Sequence, residues 1–143
     1  MSLSFEPITL DRQNDYLEVL SRCPQITSDY SFLNLWAWAE EYELRWAWDG
    51  DLIWIRQNLP EQFLWAPVGL WDAVDWQSRL SLNANARSVF TRVPEMLTNV
   101  WRERFPQEIR IEEERGSWDY LYRVTDLIEL KGNRYHKKKN LLN

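Results

Sequence analysis

The stretch LRWAWDGDLIWIR, from Leu44 to Arg56, restricts the fold more than any other part of the chain. LRWAW alternates with the period of two that marks a half-buried strand. Asp49-Gly50 is a hairpin turn signal, because glycine accepts the positive φ of a tight turn without steric cost. LIWIR supplies the returning strand, and FLWAPVG, after the breaker NLPE, reads as a third. A three-strand antiparallel meander is therefore expected near mid-chain.

Around the meander the period changes to that of helices. Ile8 and Leu10 suggest a short first strand. Asp11 is read as the N-cap of a helix through DRQNDYLEVLSRC, with Tyr16, Leu20 and Cys23 at helical spacing and Pro24 as its stop. Ser28 or Asp29 is expected to cap the next helix, whose apolar stripe is Phe32, Leu35, Trp36 and Ala39. DAVDWQSRL is a third helix with Ala73, Trp76 and Leu80 on one side, and SVFTRV a strand. Pro94 suits the first turn of a helix carrying Leu97, Val100, Trp101 and Phe105. IRIEEE and WDYLYRV read as strands around Arg115-Gly116-Ser117. Thr125 is expected to cap a last helix, interrupted at Gly132, with Asn133 able to recap it. The order βααβββαβαββα implies an α+β fold with a central, mostly antiparallel sheet and helices packed on it.

At 143 residues the chain is expected to form one domain, large enough for a core without disulfides or metals. Cys23 is the single cysteine, which excludes an internal disulfide and a cysteine-rich zinc site. That usage suits a reducing compartment, so a cytoplasmic location is expected. No apolar run is long enough for a transmembrane segment, and MSLSFEPITL lacks the basic and apolar regions of a signal peptide. Ten tryptophans fall in helix-period and strand-period contexts, which assigns most of them to the core and leaves some for a groove.

The formal net charge of -5 hides a strong asymmetry. Lys131, Arg134, Lys137, Lys138 and Lys139 follow residue 130 with no acid among them, leaving 12 basic against 22 acidic residues before them. An acidic body repels nucleic acid and anionic membrane, whereas the tail attracts both. On a helix from Arg134, residues His136, Asn140 and Asn143 share a face, and Tyr135, Lys139 and Leu142 share the next. Arg134, Lys137, Lys138, Lys139 and Asn140 are the candidate substrate-binding residues, a phosphate-tracking patch for tRNA or anionic lipid head groups. The plainer alternative is a solvated face, or lysines that pair with the acidic body or a second domain.

The sequence does not identify a catalytic set. His136 is the only histidine and has the pKa range of a general base, but no acid or nucleophile stands at triad spacing. Tyr120 and Tyr122 would share one face of a strand and could orient a substrate through their hydroxyls. The alternative for them is a half-buried aromatic strand. Glu112–Glu114 lacks metal-ligand spacing, so no metal site is expected. No Gly-rich loop suits acetyl-CoA, and no P-loop or Rossmann fingerprint occurs, so no cofactor is expected. Gly69, ahead of LWDAVDW, comes nearest to an anion-binding helix start.

The succession of elements is similar to that of the GNAT acyltransferase fold, and two segments are more specific. SDYSFLNLWAW at Ser28–Trp38 and DYLYRVTDLIELKGNRYHKKKNLLN at Asp119–Asn143 resemble an uncharacterised bacterial family related to the C-terminal domain of phosphatidylglycerol lysyltransferase. Asp119, Tyr120, Tyr122, Asp126, Leu127, Leu130, Gly132, Tyr135, His136, Lys137, Lys138 and Asn140 fall on the family's pattern. Lys139 stands where the family more often has Arg, which removes a bidentate guanidinium fork. The resemblance implies a tandem GNAT-like protein, akin to the Fem-type aminoacyltransferases, with residues 1–143 as a single domain forming its N-terminal half. It further implies an aminoacyl- or acyltransferase with aminoacyl-tRNA as donor and a lipid, peptide or cell-wall acceptor. The partner expected for this half is the C-terminal domain of the same protein. The alternative is a non-catalytic half that docks on that domain through the basic helix.

Overall fold

A computed structural model describes residues 3–83 and 88–132. The chain divides into two compact units, Met1–Glu113 and Glu114–Asn143.

The first unit is built on a mixed sheet, with strands β1 (Glu6–Pro7), β2 (Arg45–Asp49), β3 (Leu52–Gln57), β4 (Phe63–Trp65), β5 (Val68–Gly69) and β6 (Phe90–Thr91). The order is β1-β2-β3-β4-β6, with β5 also paired to β3. The expected hairpin forms, with Trp46 opposite Ile55 and Trp48 opposite Ile53. Gly50 makes the turn at φ 61°. The expected third strand runs antiparallel along β3 in two pieces. Leu64 pairs with Arg56 and Val68 with Ile53, so four steps on one strand match three on the other. The extra residue is a bulge at Ala66-Pro67, where proline has no N–H to offer a ladder. β6 then joins β4 in parallel, with Trp65 opposite Thr91. The fold class is α+β, as expected.

Leu52, Ile53, Trp54 and Ile55 are all buried, so β3 is covered on both faces. On one face lie helices α1 (Gln13–Leu20) and α2 (Phe32–Ala37), where Tyr16 stacks on Trp46 at 5.9 Å and Phe32 lies 6.4 Å from the same ring. On the other, Trp54 meets Phe90, and Phe90 meets Trp101 of helix α4 (Glu95–Arg104) at 5.0 Å. Trp76, which opens helix α3 (Trp76–Asn83), packs edge-on against Trp101 at 5.5 Å. Trp46, Trp54, Trp65, Trp71, Trp76 and Trp101 are buried, which bears out the assignment of most tryptophans to the core.

Several helix starts differ from expectation. Leu10–Arg12 is a 3-10 turn and α1 begins at Gln13, so Asp11 is not a cap. The first strand is Glu6–Pro7, while Ile8 is buried just after it. Ser28–Tyr30 is likewise a 3-10 turn, and the cap of α2 is Ser31, whose Oγ accepts from the Asn34 N–H at 3.3 Å. Both serines satisfy the same local pattern, and the intervening turn decides between them. Pro94 is the N-cap of α4, and the orphan N–H of Met96 donates to Gln25 Oε1 at 2.8 Å.

In the second unit the described residues contain a 3-10 turn at Arg115–Ser117 and helix α5 (Val124–Glu129). Arg123, not Thr125, is the N-cap of α5, and the helix ends on Leu130 in the left-handed region at φ 48°. The strands expected at IRIEEE and WDYLYRV do not form among the described residues. Alternation specifies a strand only where a ladder satisfies its backbone and a layer covers one face.

Candidate functional site

Of the residues singled out in the sequence, Arg134, His136, Lys137, Lys138, Lys139 and Asn140 lie outside the described residues. Asn133, the expected recap, does so too. Tyr120 is 86 % exposed and Tyr122 48 %. Their expected common face rested on a strand that does not form. Gly69 opens no helix. It lies in β5 at φ 140°, and its N–H donates to Cys23 Sγ at 2.9 Å. An anion has no N–H there to bind.

A different group of side chains converges in the first unit. An open cleft of about 230 Å³ is lined by Asp29, Asn34, Trp38, Tyr42, Trp65 and Arg92. Asp29 comes from the 3-10 turn before α2, Asn34 from α2 itself, and Trp38 from the residue that ends it. Tyr42 follows in the turn leading to β2, with its ring 5.7 Å from that of Trp38. Trp65 closes β4, and Arg92 comes just after β6. The parallel pairing of β4 with β6 is what brings Trp65 and Arg92 together.

Arg92 is held in three ways. Its guanidinium lies 4.5 Å over the Trp65 ring. Its Nε stands 3.1 Å from Asp29 Oδ2, but off the line of a hydrogen bond, so this contact is electrostatic. Its carbonyl accepts the Tyr30 hydroxyl at 3.0 Å, while its backbone sits in the left-handed region at φ 55°. Trp65 is fixed in turn. Its indole N–H donates to Gln57 Oε1 at 3.2 Å, and Gln57 Nε2 donates to the Leu59 carbonyl at 2.8 Å. Gln57 is thereby a buried polar side chain with both ends satisfied.

Behind the cleft, Tyr16 donates to the Tyr30 carbonyl at 2.7 Å. Burial pushes both phenols upward in pKa, with smaller contributions from neighbouring groups. Both stay protonated at neutral pH and act as fixed donors. Burial also raises the Cys23 thiol, against the opposing effect of the Gly69 N–H, so Cys23 is not an activated nucleophile. The cleft contains one acid and one cation in contact, an amide, and three aromatic residues of which Tyr42 carries a phenol. These groups can hold and orient a small polar ligand, and no nucleophile–base pair stands among them. Among the described residues, no group of three or more His, Cys, Asp or Glu is placed to hold a metal. No helix among them is long and apolar enough to cross a membrane.

The first unit is thus an α+β sheet domain whose cleft takes half of its lining residues from the segment SDYSFLNLWAW. The chain belongs to the family described as phosphatidylglycerol lysyltransferase, C-terminal, whose model matches residues 21–143. The match spans all six cleft residues, Tyr120 and Tyr122 of the second unit and the basic tail. No curated protein and no solved structure matches the chain.

Sequence reasoning missed the cleft as a unit. Asp29, Asn34 and Trp38 all stood in the segment that carried the resemblance, and that was the available signal.

Proposed function

We propose that this chain is the N-terminal, GNAT-like half of a tandem aminoacyl- or acyltransferase, acting on an amine or hydroxyl of a lipid, peptide or cell-wall acceptor. The family match over residues 21–143 carries this assignment. Aminoacyl-tRNA is the donor, and the basic residues Arg134, Lys137, Lys138 and Lys139 track its phosphates. This half forms one wall of the substrate groove. Aminoacyl transfer requires an oriented acceptor amine or hydroxyl and an oxyanion stabiliser, and backbone N–H groups suffice for the second. Catalysis belongs to the full tandem protein, in the cytoplasm.

A second role is supported by a separate observation. Trp118, Leu121, Val124 and Ile128 are exposed in the second unit. An apolar series of this kind suits a docking segment, so this half would be structural and would bind the second domain of the same protein.

Fluorescence anisotropy with labelled tRNA, charged and uncharged, over a salt series tests the first role in the chain and in its tandem form. Binding that depends on the aminoacyl end and weakens steeply with salt is expected. Affinity weaker than about 100 µM at low salt, poorer than ordinary non-specific contact, overturns the tRNA donor. The docking role is then left, and it requires that the second domain raise the melting temperature of the first.

A further inference from the structure

The geometry points to the cleft at Asp29, Trp38 and Arg92 as a binding site for one neutral pyranose ring, carried by a free sugar or by the end of a glycan. The inference is independent of the tRNA donor.

Three observations lead there. First, the aromatic surface is both fixed and open. Trp38 is 51 % exposed, and its ring rests against Tyr42 at 5.7 Å. A large, half-exposed indole lining a cleft offers a flat apolar face, of the kind that packs against the C–H face of a ring. Second, the polar groups around it are mixed in kind. Asp29 accepts, Arg92 donates, and the Tyr42 hydroxyl does both. Asn34 uses its amide N–H on the Ser28 carbonyl at 2.8 Å, which aims the side chain and leaves its carbonyl oxygen as an acceptor. Sugar hydroxyls are donors and acceptors at once, and such a rim matches them. Third, the charges cancel locally. Arg92 is paired with Asp29 and stacked on Trp65, so a phosphate entering the cleft meets a carboxylate beside the guanidinium. A free cation meets the guanidinium beside the carboxylate. A neutral ligand suffers neither repulsion and can still hydrogen-bond to both charged groups, which form the stronger kind of hydrogen bond.

Size and rigidity agree with this. About 230 Å³ is less than drug-sized ligands occupy, and suits a single ring with the remainder projecting from the mouth. Arg92 is held by the Tyr30 hydroxyl, the Trp65 ring and Asp29, and Trp65 by Gln57. Groups already immobilised lose little entropy when a ligand arrives.

The experiment is a titration of the 15N-labelled 143-residue chain, followed by backbone and indole N–H shifts. The probes are methyl β-D-glucopyranoside, N-acetylglucosamine and its β-1,4 disaccharide, with adenosine monophosphate and glycine as charged comparisons. At least one sugar should give saturable shifts at Trp38, Tyr42 and Asn34, with a Kd between about 0.1 and 10 mM, the range for a small open site. Trp38→Ala, at an exposed position, should weaken that sugar at least tenfold with an otherwise unchanged spectrum. Asp29→Asn should weaken it as well. A preference for the disaccharide over its monomer would place the natural ligand on a glycan, and the reverse would indicate a free sugar. Absence of saturable shifts for every sugar up to about 50 mM overturns the proposal. So does binding of the nucleotide or of glycine in preference to the sugars, or sugar binding that survives Trp38→Ala.

Discussion

The Tyr30 hydroxyl donates to the Arg92 carbonyl at 3.0 Å, and this bond ties a buried core side chain to the cleft. Tyr30 stands edge-on to Trp65 at 5.7 Å, and the Arg92 side chain covers the same indole. The two residues therefore both contact Trp65, one through a core ring and the other through a guanidinium. Arg92 keeps a left-handed backbone there, at φ 55°, a conformation that a side chain disfavours unless its surroundings enforce it.

A comparison of Arg92→Ala with Arg92→Gly separates the side chain from the backbone. Both lose the stacking on Trp65 and the pairing with Asp29, and alanine should lower stability by about 1–3 kcal/mol. Glycine adopts positive φ freely, so its variant should be the more stable of the two, by up to about 1 kcal/mol. Urea midpoints with matched slopes measure both. A glycine variant no better than alanine would mean that the left-handed backbone carries no cost in this fold.

Alkali should unfold the protein for an identifiable reason. Tyr16 and Tyr30 are raised in the folded state from an ordinary value of 10.0, and Cys23 from 9.0. The unfolded chain therefore gives up these protons first. The stability they contribute is complete below about pH 9 and declines as pH rises through 9 and 10 toward the folded values. Urea midpoints between pH 7 and 11.5 should be flat and then fall. Tyr16→Phe should lower stability at pH 7 by about 1–2 kcal/mol, because the Tyr30 carbonyl loses its partner, and should make the alkaline fall shallower. An unchanged alkaline slope in Tyr16→Phe would remove this phenol from the account.

How much of this was legible in advance follows from how local each signal is. The hairpin was readable because alternation and Asp49-Gly50 lie within one short stretch. Its third strand was readable too, but the bulge at Ala66-Pro67 was not, since only the register against β3 reveals it. The start of α2 was misplaced by two or three residues because Ser28, Asp29 and Ser31 all offer a capping side-chain oxygen. The two late strands were read from alternation alone, with no account of what they would pair with. The cleft depended on contacts that no local pattern encodes, for Tyr30 and Arg92 stand 62 residues apart and meet through the parallel β4–β6 pairing.

Gly69→Ala should be among the most damaging single-methyl changes in the chain. A Cβ built there would lie 2.2 Å from the Asp51 carbonyl oxygen, and the backbone is at φ 140°. The neighbouring β3–β5 pairing, Leu52 with Gly69, leaves no room to retreat. A loss of roughly 2–4 kcal/mol is expected. Thermal melting of the variant measures it, and indole shifts at Trp71 should move with it. A loss below about 0.5 kcal/mol, the range of an ordinary surface change, would mean that β5 is not anchored as described.

Charge reversal at Lys137, Lys138 and Lys139 separates the two proposed roles of the basic tail. Replacing all three by Glu turns an attractive segment into a repulsive one on a chain that is already acidic. If the tail tracks tRNA phosphates, binding should vanish at moderate salt, while the melting temperature of the chain stays the same. Single Lys→Ala changes should each lower the slope of log affinity against log salt by up to about 0.9. If the tail instead connects to the second domain, the triple variant should leave the isolated chain unaffected and lower the melting temperature of the tandem protein. The two outcomes cannot be produced by one role. Loss of RNA binding is read from the salt series, loss of docking from the melting curve, and each measurement is indifferent to the other mechanism.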